Sequence, residues 1–179
     1  MKKCIPLAGV ATVAILGVGA AIWAAMKVEP DKENVVASRL EGQWRLHGDL
    51  TERLTGQAAS KTSLGMGFTF IADSAVGDMV PERFEKLLKD KRVYLAGYMQ
   101  RHELSVPKKE RFPFLLVSHQ GNPCLIYFRP KGDDPMGDAE SMFVMLAVAK
   151  ERDKDLLFVG GDFNNQPFTA YERRAVAGD

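Results

Sequence analysis

An uncharged run from Ile5 to Met26 constrains everything that follows it. Its 22 residues span about 33 Å as a helix, enough to cross a hydrocarbon core of roughly 30 Å. A cleavable signal peptide has an apolar stretch of only about 7 to 15 residues, although Val18-Gly19-Ala20 and Ile22-Trp23-Ala24 offer small-residue cleavage sites. The length, with Trp23 and Lys27 as interfacial anchors, favours an uncleaved single-pass helix. Lys2 and Lys3 precede the run, whereas Lys27 is followed by Glu29, Asp31 and Glu33. The amino end is therefore expected in the cytoplasm and the C-terminal domain outside it, on the periplasmic side in a bacterium. Gly17, Ala21 and Ala25 form a stripe that would admit a second helix, although small residues are common in membrane helices.

Three parts follow: a transmembrane anchor over 1–27, a charged tether over 28–39 containing Pro30, and one domain over 40–175. The lipid bilayer is the first expected partner, through residues 5–26. Apart from Lys2 and Lys3 the chain has 22 Lys+Arg against 23 Asp+Glu, without a clustered basic stretch. A nucleic-acid partner is thereby disfavoured. Cys4 lies ahead of the apolar run and Cys124 far inside the domain, which excludes a disulfide framework.

From Gln43 the chain alternates in twos, with Trp44, Leu46 and Leu50 on one side and Arg45, His47 and Asp49 on the other. Met66, Phe68 and Phe70 repeat the pattern. Phe84, Leu87 and Leu88 instead show helical spacing after Pro81, with Glu82/Lys86 and Glu85/Lys89 as i,i+4 pairs, and predict one short helix over 81–90. Beyond it, apolar segments at 92–103, 111–119, 123–129, 141–150, 155–163 and 168–174 are separated by turn residues such as Gln120-Gly121-Asn122-Pro123. These make eight expected strands. Hairpin spacing calls for an antiparallel sheet, and closure into a barrel removes its edges. The expected fold class is all-β.

Gly42-Gln43-Trp44 on the first strand, Phe68-x-Phe70 on the second and Arg173-Arg174 at the end of the last resemble the lipocalin superfamily and small bacterial lipocalin-like domains. The resemblance implies an eight-stranded antiparallel barrel in which Trp44, preceded by Gly42, plugs the closed end and Arg173 or Arg174 packs across its ring. It also implies a barrel interior that can hold a small apolar ligand. Met66, Phe68, Tyr94, Tyr98, Met99, Phe128, Met142 and Met145 are candidates to line it, and the same residues would suit a packed core.

Gly161-Asp162-Phe163-Asn164 resembles a motif of metal-dependent endonucleases, exonucleases and phosphatases. Only 15 residues follow Asn164 and none is histidine, so a turn is the simpler account. His47, His102 and His119 fall on separate strands, and Asp133, Asp134, Asp138 and Glu140 lack EF-hand spacing. No metal or cofactor is expected. Ser118 and His119 are adjacent and face opposite ways on a strand, while Cys124 sits in an apolar segment. Without a nucleophile or acid–base pair, the expectation is a non-enzymatic protein. Two readings stand: a membrane-anchored, lipocalin-like binder of a small apolar ligand, or a filled barrel serving as accessory or docking subunit of a membrane assembly. A metal-dependent phosphodiesterase is the remote third.

Overall fold

The computed structural model describes residues 32–58, 66–102, 110–133, 136–137, 139–160 and 168–174. The anchor expected over Ile5–Met26, together with Asp134, Asp138, Asp162 and Asn164, lies outside them. Eight strands are present: β1 (Gly42–Leu46), β2 (Gly67–Ala72), β3 (Val93–His102), β4 (Arg111–His119), β5 (Asn122–Pro130), β6 (Ala139–Glu151), β7 (Lys154–Gly160) and β8 (Phe168–Arg173). Each pairs antiparallel with the next, and β8 returns to β1 through Trp44↔Arg173, Arg45↔Glu172 and Leu46↔Tyr171. The result is a closed up-and-down barrel without sheet edges.

Strand direction gives the barrel two distinct ends. One carries Gly42, Val93, Arg173 and the two-residue turns Gln120–Gly121 and Arg152–Asp153. At the other end lie Leu46, Gly67, His102, Arg111, Pro130, Ala139, Gly160 and Phe168. The connections β1–β2, β3–β4, β5–β6 and β7–β8 all leave from this second end, called the mouth below. The Gly-Asp-Phe-Asn run belongs to the last of them.

Four helices accompany the barrel among the described residues, where the spacing predicted one: α1 (Lys32–Leu40), α2 (Gly48–Thr55), α3 (Ala75–Asp78) and α4 (Glu82–Leu88). Only α4 was legible as a helix. The tether expected over 28–39 is helical from Lys32, and α1 buries Val36 and Leu40 in the barrel core. It packs against β3, β4, β5 and β6, and so lies across the end opposite the mouth. The first strand, expected to continue to Leu50, stops at Leu46 because His47 caps a helix. The imidazole Nδ1 accepts from the Leu50 amide at 3.4 Å, and Gly56 ends α2 in the left-handed region (φ 70°) with its N–H donating to the Glu52 carbonyl.

Burial explains why strand periodicity was harder to read after Tyr94. Phe112, Phe114 and Leu116 of β4 face the barrel interior, while Leu115 and Val117 face outward beneath α3 and α4. Leu50 and Leu54 of α2 similarly cover Leu156, Phe158 and Ala170 on the outside of β7 and β8. Thr51 fixes this helix, its hydroxyl donating to the Ala170 carbonyl and accepting from the Ala170 amide. Strands buried on both faces lose the apolar–polar alternation that marks a half-exposed sheet.

Candidate functional site

The end opposite the mouth is sealed by interlocking contacts around Trp44. Its indole N–H donates to the Leu40 carbonyl at 2.7 Å, and the ring is 2 % exposed. Arg173 lies across the other side with its guanidinium carbon 4.6 Å from the ring centroid. The same guanidinium donates from Nη1 to the Glu41 carbonyl at 2.6 Å, from Nη2 to the Arg39 carbonyl, and from Nε to the Asp155 carboxylate at 3.2 Å. Arg39, Leu40 and Glu41 are the last residues of α1 and the one beyond it, whose carbonyls have no partner within the helix. Two side chains, Trp44 and Arg173, satisfy them, with the cation at the negative end of the helix dipole. Gly42 completes the arrangement: its φ is 117°, and a Cβ there would come within 2.8 Å of Arg173 Nη1. Arg174 takes no part in the stack. It is exposed beyond β8, and its amide donates to the Gln43 carbonyl.

Inside the barrel, exposure changes with depth. Leu116, Leu125, Leu146, Leu157 and Phe114 are 0 % exposed, so solvent does not reach this middle layer, while Tyr94, Leu95 and Val148 below it are half-buried. Nearer the mouth, Phe68, Tyr127, Val144 and Val159 are only half-buried although they belong to the interior cluster. Phe68 packs on Tyr171, ring centroids 5.1 Å apart, and both belong to the wall of this upper cup. Arg101 joins them, because it is the register partner of Phe68 and shares the parity of Met99. Burial pushes the Tyr171 hydroxyl up to about 12, an effect that the positive charge of Arg101 partly offsets.

The eight candidate lining residues divide accordingly. Phe68, Tyr94 and Met99 belong to the interior cluster. Tyr98 and Phe128 do not line it: they lie on the outer face with Val76 and Phe84, the Phe84 and Phe128 rings 4.9 Å apart. Met145 is also outside, in the cluster beneath α2. Met142 shares the inward parity of Val144 but is 38 % exposed at the mouth, and Met66 precedes β2, half-buried, its carbonyl accepting from the Leu46 amide. For Phe128 and Met145 the cause is the same. Residues on opposite parities of β5 and β6 are equally apolar, so composition did not reveal which face pointed inward.

Arg101 went unrecognised, although Leu95, Gly97, Met99 and Arg101 alternate with one charge on an otherwise apolar face. The histidines occupy separate positions: His47 caps α2, His102 contacts the Thr69 hydroxyl, and His119 ends β4. Burial and the nearby charge of Lys91 lower the pKa of His119. Among the described residues, no group of three His, Cys, Asp or Glu side chains could hold a metal ion. Cys124 is 1 % exposed on the outer face, and burial pushes its thiol up to about 11. Comparison with known proteins returns no match to any family model, curated protein or solved structure.

Proposed function

We propose that this chain is a membrane-anchored, extracytoplasmic, lipocalin-like binding protein that holds one small apolar ligand in the upper half of its barrel. The observation that carries this reading is that inward-facing apolar side chains nearer the mouth, Phe68, Tyr127 and Val159, are only half-buried above a fully buried layer around Leu116 and Leu146. Apolar side chains that face inward and still meet water gain about 25 cal/mol per Å2 when a ligand covers them. The fully buried middle layer supports the competing reading, a docking subunit with a filled barrel. An anchor over 5–26 would place α1 and the sealed end nearest the bilayer, leaving the mouth to face away from it.

A neutral fluorescent probe, N-phenyl-1-naphthylamine, separates the two readings. Saturable binding of one probe per full chain, abolished by Val144→Trp without loss of circular dichroism, supports the cup. Binding that Val144→Trp leaves intact, or none at all, supports the filled barrel instead. Protease added to intact spheroplasts should digest the domain; protection would overturn the extracytoplasmic placement.

A further inference from the structure

We infer that the groove between α3 and α4 is a contact surface for a second copy of this chain. It lies on the outside of the barrel, shares no residue with the cup, and opens to solvent with a volume of about 710 Å3. Val80 and Leu88 line it, together with Asp78, Glu85, Lys86 and Lys89. These residues belong to one continuous segment between β2 and β3. Arg83, which ties α4 to the Met136 and Ala139 carbonyls, stands two positions before Glu85 and so on the opposite flank of the helix.

Charge says what fits. The groove holds two acids and two bases, all exposed, and none of the four forms an ion pair with another described residue. Glu85 and Lys89 have the spacing of a helical pair, yet Lys89 ends α4 with an extended ψ of 130°, which takes its backbone out of the helical row. A strongly acidic or basic partner would meet like charge on half of this surface, whereas a second copy complements it. A two-fold axis beside α4 sets Glu85 against Lys89 of the second copy and Lys89 against the second copy's Glu85. Met79 supplies the apolar part of the contact. It sits between two lining residues and, at 48 % exposed, is the most exposed large apolar side chain among the described residues. Its unbranched, flexible thioether suits an irregular groove, so Met79 of each copy covers Val80 and Leu88 of the other.

Sedimentation equilibrium of the full chain in density-matched detergent micelles, at about 1–100 µM, tests the contact. The unmodified chain should pass reversibly from monomer to dimer, and less readily as salt is raised. Glu85→Lys and Lys89→Glu should each weaken the dimer about tenfold or more, because like charges then face each other at both symmetric positions. Mixed in equal amounts, the two variants should regain the unmodified affinity to within about threefold, since each meets the opposite sign in the other. Both side chains are exposed, so circular dichroism should be unchanged in either variant. A monomer at every concentration overturns the second copy as the occupant. A dimer that neither charge reversal weakens places the contact elsewhere, the run from Ile5 to Met26 included, and overturns the inference too. So does a weakening in both variants that mixing fails to relieve.

Discussion

Replacing Arg173 by alanine tests how the sealed end is held. The ion pair with Asp155 joins side chains that are 30 % and 31 % exposed, so after solvent screening it contributes at most about 1 kcal/mol. Stacking over Trp44 adds about 0.5–1 kcal/mol. The two bonds to the Arg39 and Glu41 carbonyls together add about 1 kcal/mol, because water can replace part of what they supply once the side chain is gone. The expected loss is about 2–3 kcal/mol, or roughly 5–10 °C in Tm for a domain of this size. Urea unfolding of the full chain, followed by near-ultraviolet circular dichroism, measures it. Arg173→Lys keeps the charge but cannot bridge two carbonyls and a carboxylate at once, so it should recover less than half. Amide exchange adds a local readout: the loss should appear first in α1, around Val36 to Leu40, as that helix detaches from the barrel. A loss below about 0.5 kcal/mol, full rescue by lysine, or unchanged exchange in α1 would refute the reasoning.

Trp44→Ala removes a buried aromatic and leaves the Leu40 carbonyl without its donor, an expected cost of about 3–5 kcal/mol by denaturant titration. Gly42→Ala should cost about 1–3 kcal/mol, since it strains a positive φ and pushes against Arg173, and Arg173→Ala should relieve part of that cost in the double variant. Tyr171 holds its proton more tightly folded, at about 12, than its ordinary 10; stability should be intact below pH 10 and fall as pH rises towards 12, and Tyr171→Phe should flatten that fall in alkaline melts. Cys124, buried with a thiol pushed up to about 11, should resist a thiol-specific disulfide reagent at pH 8 and react once urea opens the barrel.

The barrel was legible because turn chemistry punctuates the chain and successive strands pair with their neighbours. Trp44 was legible too, since a large aromatic alternating with Arg45 leaves little doubt about which side is buried. What escaped reading has local causes. The residues of α1 begin with Lys32 and Glu33 and carry only Val35, Val36, Ala37 and Leu40 as apolar members, so the segment reads as a charged tether. Its helical stability comes from burying Val36 and Leu40 in a barrel end that no local pattern announces. Similarly, His47-Gly48-Asp49-Leu50 continues the alternation of β1, and the strand is broken by the cap that His47 forms and by packing of Leu50 onto β7 and β8. Face assignment on β5 and β6 failed for a different reason. Helices α3 and α4, together with Met136, cover the outer surface as thoroughly as the barrel covers its interior.

One register row connects the two ends of the barrel and separates their chemistry. Arg101 pairs with Phe68, Phe68 with Trp44, and Trp44 with Arg173, so a cation stands at each end of a row whose middle is aromatic. At the sealed end, α1 brings its carbonyl terminus under the barrel, and Arg173 spends donors on Arg39, Glu41 and Asp155. That saturation makes the residue structural. At the mouth, the nearest described helix, α2, lies outside against β8 and brings no carbonyl terminus into the cup. The same side-chain chemistry therefore acts as a lock where a helix end meets it, and at the other end stands on the inward face of the barrel beside Phe68.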